Sequence, residues 1–275
     1  MDKLRFGTAG IPNSTKGDTI QGIKDIPKLG LGSFELEFVR SINISEEKAP
    51  LIKKAAKDNN VILTCHAPYF INLNSDDPKK FHASIGRIVN SAKILSLCGG
   101  YSVCFHAGFY QKQDPKKVYE NIKKGFKKIT DEVKEFDKNI WIRPEISGKI
   151  AQFGDLNELI KLSQDFDQVL PCIDFSHLFA RTIGKNNTFE EFKNILSEIE
   201  SKLGSEVIDN MHIHVSGIEY GDRGEKHHLI LEDSKFNYKD LMKALKEFKV
   251  KGCLTCESPN IEDDALLMKN YYESI

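Results

Sequence analysis

No stretch of this chain approaches the roughly 20 consecutive apolar residues that a membrane-crossing helix needs. Its opening residues, MDKLRFGTAG, show no basic region followed by an apolar one. The expectation is a soluble, cytoplasmic protein with no membrane partner. An excess of either charge is missing too: 39 Lys and Arg stand against 40 Asp and Glu, a formal net charge of -1. That balance provides no broad field for nucleic acid or anionic lipid, so any polyanion must be recognised by local groups. No Ser/Gly linker, low-complexity tract or shift in composition divides the 275 residues, and one domain over residues 1–275 is expected. A disulfide framework is also not indicated. Several of the six Cys (65, 98, 104, 172, 253 and 256) lie in apolar, strand-like runs, where free Cys behaves as a small buried hydrophobe and a reducing compartment fits. Cys253 and Cys256 are spaced like a redox or zinc motif, but residues three apart on a strand point to opposite faces. They are read as structural.

What is present is an alternation. Apolar, β-rich runs occur at 4–9, 34–39, 61–65, 101–105, 140–145, 169–174, 210–215 and 252–257. Polar stretches with helical periodicity lie between them, at roughly 18–29, 45–59, 78–98, 114–136, 155–165, 188–203, 238–248 and 261–274. Cap-like openings support the helices: Ser45 with Glu46 and Glu47, Asp77-Pro78, Asp114-Pro115, Thr188 with Glu190 and Glu191, and Asn237. Eight strand-helix repeats of this length predict an α/β fold, a (β/α)8 barrel. The connection over about 216–236 is too long for a plain turn and is a candidate functional loop.

On that scaffold nine residues with metal-ligating side chains fall at or near the carboxyl ends of the strands, which converge on one mouth. They are His66, His106, Glu145, Asp174, His177, His212, Glu225, His227 and Glu257. Any one of them alone is most simply a hydrogen-bonded or solvated residue. Together they place four carboxylates at one mouth, prohibitive to bury unless cations offset them. One divalent ion leaves about -2 and three leave about +2, and only the latter attracts a phosphate. Five imidazoles among nine ligands favour zinc, or Mn2+, Fe2+ or Co2+, over Mg2+ and Ca2+.

The segments CHAPYFINL (65–73), FHAGFY (105–110), PEISGK (144–149), CIDFSHLFA (172–180), MHIHVSG (211–217), EKHH (225–228) and CESPN (256–260) resemble the endonuclease IV family of apurinic/apyrimidinic endonucleases, within the xylose isomerase-like barrels. The resemblance implies three zinc ions per chain and hydrolysis of duplex DNA on the 5′ side of an abasic site, in base excision repair. It makes Glu145 the catalytic carboxylate that bridges metals. The family has Asp where Glu225 stands, and commonly Asn where His214 stands. His212 and His214 share one face of a strand, so either could ligate; the spacing of His212 to Glu225 and His227 matches the family, leaving His214 as an alternative ligand or outer partner. His228 is expected to orient a neighbouring ligand.

Arg40, Lys149, Arg181 and Arg223, beside Tyr69, are expected to contact DNA, with Tyr69 matching the tyrosine that the family inserts at the lesion. A monomer is expected. Two other readings remain: a sugar isomerase or epimerase of the same barrel class, using one or two ions, and a zinc-stabilised DNA-binding module without catalysis.

Overall fold

The computed structural model describes residues 1–275. In chain order the strands are β1 (Leu4–Ala9), β2 (Ser33–Glu37), β3 (Ile62–His66), β4 (Ser102–Phe105), β5 (Trp141–Pro144), β6 (Cys172–Asp174), β7 (Met211–Val215), β8 (Gly217–Gly221), β9 (Gly224–Leu229) and β10 (Gly252–Cys256). Eight of them form one sheet in the order β5-β4-β3-β2-β1-β10-β7-β6, and β8 and β9 pair separately as a hairpin. All pairings within the eight-stranded sheet are parallel. The ends of that sheet, β5 and β6, meet only through isolated bridges, Ile142 to Val169 and Glu145 to Cys172. The cylinder is thus closed by a seam and not by a full ladder.

Parallel strands buried on both faces need apolar side chains outward toward the helices and a filled lumen inward. MHIHV of β7 is buried at all five positions. The lumen is unusually polar: Glu35, Thr64, Ser102, Arg143, His212 and His214 are each fully buried. Arg143 closes the floor by donating from Nη1 to Pro171 O at 3.0 Å and from Nη2 to Asn210 O at 2.6 Å.

The helices are α1 (Thr19–Asp25), α2 (Ala49–Asp58), α3 (Pro78–Leu97), α4 (Pro115–Lys134), α5 (Leu156–Asp165), α6 (Phe175–Arg181), α7 (Phe189–Leu203), α8 (Ser205–Ile208), α9 (Tyr238–Glu247) and α10 (Glu262–Ser274). Asp77, Asp114, Thr188 and Asn237 cap α3, α4, α7 and α9 by accepting backbone N–H groups, which satisfies donors that a helix start leaves orphaned. Ser45 instead forms a turn with Lys48, and α2 begins at Ala49 without a side-chain cap. Each large side chain buried on the sheet side contributes about 1.5–3 kcal/mol. On α4 these are Val118, Ile122, Phe126, Ile129 and Val133, three or four apart as one face of a helix requires. No helix is long and apolar enough to cross a membrane.

Candidate metal centre

The strand ends deliver their side chains to one cavity of about 360 Å³, lined among others by Glu37, His66, His106, Glu145, His177, Glu225, His228 and Glu257. His66 ends β3, Asp174 ends β6, and His106, Glu145 and Glu257 directly follow β4, β5 and β10. Glu145 is the hub. Its Oε2 lies 3.0 Å from His66 Nε2 and 3.7 Å from His106 Nε2, and its Oε1 lies 3.3 Å from both His177 Nδ1 and His214 Nδ1. Glu257 Oε1 is 3.4 Å from His214 Nδ1, and Glu225 Oε2 is 3.6 Å from His177 Nε2.

Asp174 serves two elements. Its Oδ1 accepts from His177 N at 2.7 Å and so caps α6, a short helix that the sequence pattern did not separate from β6. Its Oδ2, 3.0 Å from His177 Nδ1, is buried without a hydrogen bond, because Nδ1 is directed to Ile146 O at 3.0 Å.

The imidazoles are held so that one nitrogen faces inward. His66 Nδ1 contacts Ala67 O at 2.7 Å and His228 Nδ1 contacts Glu257 O at 3.1 Å. A ring nitrogen fixed on a carbonyl turns Nε2 toward the cavity, where an ion could take the place of its proton, the outer-shell arrangement of metal-ligating histidines. His177 Nε2 and His228 Nε2 then face each other at 3.3 Å, which only a proton or a cation between them relieves. Groups able to hold an ion recur around this point: His106, Glu145 and His177; His177, His228 and Glu257; and Glu145, Asp174, His214 and Glu257. The donor set, with its orphaned Asp174 Oδ2, therefore suits divalent metal.

Electrostatics agree. Burial pulls the His66 imidazole down, but the hydrogen bond and charge of Glu145, with Glu37 and Glu257 behind it, outweigh this and push it up to about 10. His106 goes the other way, to about 4, because burial dominates. Burial would raise Glu145, yet the charges of His106 and His214 and hydrogen bonds from His177 and His214 hold it well below the usual carboxylate range. Burial and the charge of Glu35 push Glu37 well above it. Without a cation, raised imidazoles such as His66 and His177 and the lowered carboxylate of Glu145 compensate one another.

Three placements differ from those expected of the sequence. His227 is exposed on β9, while His228 lines the cavity. The reason is a β-bulge: Tyr220 pairs with Glu225 and Glu219 with His227, so Lys226 is an extra residue on β9. One inserted residue reverses the alternation of faces, and Glu225 shares the inner side with His228 instead of His227. His212 is fully buried one layer below the mouth, its Nε2 2.7 Å from Glu35 Oε2, and His214, two residues nearer the strand end, faces Glu145. Arg181 Nη1 is engaged by the carbonyls of Ser147, Lys149 and Gln152 at 2.8–3.1 Å, so it braces the 147–152 loop. Glu35 and Glu37 were not anticipated at all. Their signal was legible in FELEF, where two acids two residues apart share one face of a strand that must point into the barrel.

At the rim Tyr69 and Phe70 are 60% and 62% exposed, and Phe109 is exposed beside them. The Tyr69 ring packs edge-on against His66 with centroids 5.9 Å apart. Lys149 lines the cavity, and Arg40 and Arg223 are exposed on loops.

A parallel eight-stranded barrel with its acids and imidazoles at the carboxyl ends defines a class, and residues 23–271 match the family described as xylose isomerase-like TIM barrel. The chain belongs to that family. Among its relatives, an uncharacterized protein of Methanocaldococcus jannaschii is 45% identical over 271 residues, spanning 98% of this chain and 97% of its own length. A probable endonuclease 4 of Mycoplasma genitalium is 26% identical over 212 residues, 75% of this chain and 70% of that protein. In three dimensions the chain is similar to endonuclease IV from Thermus thermophilus, with a TM-score of 0.73, 16% identity and coverage of 98% and 100% of the two chains. It is equally similar in fold to a D-tagatose 3-epimerase-like protein, with a TM-score of 0.75, 18% identity and coverage of 98% and 96%.

Proposed function

We propose that this protein is a metal-dependent phosphodiesterase that cuts duplex DNA on the 5′ side of an abasic site, leaving a 3′-hydroxyl and a 5′-deoxyribose phosphate. The observation that carries the reading is the position of Glu145 among four imidazoles, with more donors around it than one ion can take. Three divalent ions, zinc first, would be held by His66, His106 and Glu145; by Glu145, Asp174, His214 and Glu257; and by His177, Glu225 and His228. Ions so bound supply Lewis acidity at the phosphate and a nucleophile at neutral pH.

The chain's own groups do the rest. Glu145, ionised and central, orients the attacking water. Lys149 at the cavity edge neutralises phosphate charge. Tyr69 and Phe70 present exposed rings able to fill the gap left by a missing base, and an abasic sugar costs less to extrude than a paired nucleotide. Incubation with a duplex carrying one tetrahydrofuran analogue should give a single incision 5′ to it. Glu145→Gln should lower the rate by about 10²–10⁴-fold, and chelation should abolish cutting. Cutting that survives both sinks the reading.

One observation favours a second reading. Glu145, Asp174, His214 and Glu257 have ligand atoms within 4.8 Å of one another, enough alone for a single ion that polarises a hydroxy-ketone sugar for epimerisation. That chemistry leaves His66, His106 and His228 without ligand roles. Ions counted per chain at the mouth decide between the two.

A further inference from the structure

Below the mouth, inside the barrel, lies a second group of donors that the nuclease reading does not use. We propose that Cys104, Cys172, His212 and His214 form a closed site for a soft divalent ion, zinc above all, one layer deeper than the mouth. All four residues are fully buried, and their ligand atoms lie within 4.8 Å of one another. His212 Nε2 is 3.2 Å from His214 Nε2, and Cys104 Sγ is 3.7 Å from His214 Nε2. A zinc tetrahedron with bonds of about 2.0–2.1 Å to nitrogen and about 2.3 Å to sulfur has edges of about 3.3 Å between nitrogens and about 3.5 Å between nitrogen and sulfur. The His212–His214 and Cys104–His214 separations match those edges, and Cys172 Sγ lies within 4.8 Å of the other three donors.

Two features around it point to a ligand. Ser102 Oγ lies 2.8 Å from His212 Nδ1, so a hydroxyl fixes that ring and turns Nε2 inward, as outer-shell partners of ligating histidines do. Glu35 lies against both rings, Oε2 at 2.7 Å from His212 Nε2 and Oε1 at 2.9 Å from His214 Nε2. Its Oε1 is nevertheless buried without an in-line hydrogen bond. A carboxylate, two thiols and two inward nitrogens packed in a dry lumen require positive charge among them. A divalent ion entering the site displaces the thiol protons of Cys104 and Cys172 to solvent, so two thiolates balance its charge; with the mouth also filled, His214 would release its ring proton too and bridge the two levels as imidazolate. Glu35 remains, held by the Thr64 hydroxyl at 2.7 Å. His214 connects the two levels: Nε2 faces this site and Nδ1 faces Glu145 and Glu257.

The test is optical. Chelated, reduced protein titrated with Co2+ alone should develop a thiolate-to-cobalt charge-transfer band in the near ultraviolet and intense visible bands of a tetrahedral ion. Cys104 also comes within reach of His66 and Glu145, so the Cys172→Ser variant is decisive. It should lose the band and one equivalent of zinc, as should Cys104→Ser, while Cys253→Ser and Glu145→Gln keep the band. A wild-type protein without the band, or a band that survives Cys172→Ser, overturns the proposal. If the serine variants do not fold, Glu145→Gln decides: a band that it abolishes belongs to Cys104 at the mouth and overturns the proposal, whereas a band that it leaves intact belongs to the deeper site. Because the readout is sulfur ligation, it stands whether or not abasic DNA is cut, and failure of one reading is distinguishable from failure of the other.

Discussion

His66 shows how one side chain links proton, metal and stability. Without a cation beside it, its imidazole is raised from 6.5 to about 10, burial opposing and Glu145 prevailing. A raised value means that the ion pair stabilises the fold fully below the unfolded value of 6.5 and is lost as pH climbs through about 10. Stability of the chelated wild type, read as a urea midpoint, should therefore decline between those limits, and His66→Gln should flatten that decline. A metal must displace the same proton, so calorimetry in buffers of different ionisation enthalpy should register proton release on zinc binding near neutrality. At this scale the sequence was legible where a candidate ligand stands at the end of a strand or just past it, as His66, Glu145 and Glu257 do, all three lining one cavity. It was not legible where two candidates share a face: spacing favoured His212 over His214, whereas depth along β7 sets His214 beside Glu145 and His212 a layer below on Glu35.

Among the elements, the hairpin β8–β9 carries the sharpest lesson. All eight barrel strands and every helix but the short α6 and α8 follow from the alternation of apolar runs, because a strand buried on both faces and an amphipathic helix leave different periods in the sequence. The hairpin does not, since its residues 217–229 are mostly polar and its inward set depends on one extra residue. The bulge predicts that His228→Ala lowers zinc affinity by about 10-fold or more, while His227→Ala leaves metal content unchanged, both measurable by competition with a chelator dye. The hairpin also packs backbone to backbone on the 147–152 loop: Glu225 N donates to Gly148 O at 3.0 Å and Ile150 N to Arg223 O at 3.2 Å. A Cβ on Gly148 would meet Glu225 Cβ at 2.7 Å and His177 Cδ2 at 2.9 Å. Gly148→Ala should thus weaken metal binding by displacing Glu225 and His177 while leaving every candidate ligand in the sequence.

For the molecule as a whole, a net charge of -1 means that, on the proposed nuclease reading, DNA would be held by a few local cations. If Lys149 meets a phosphate, Lys149→Ala should reduce the slope of log affinity against log salt by about 1. Arg181→Ala should instead loosen the loop it braces and leave that slope unchanged. At the opposite end of the cylinder, removing Arg143 strands the carbonyls of Pro171 and Asn210, and Arg143→Ala should cost about 2–4 kcal/mol in urea unfolding. Between floor and mouth runs the seam where β5 and β6 touch by isolated bridges alone. The central acid, Glu145, rides on its upper edge. A cylinder fastened so sparingly along one line can widen there at little cost, and deuterium should enter the amides of Ile142 and Ile146, bonded across it to Gln168 and Cys172, before any other staves of the barrel. Bound cations, by drawing the two edges onto shared donors, would act as the clasp.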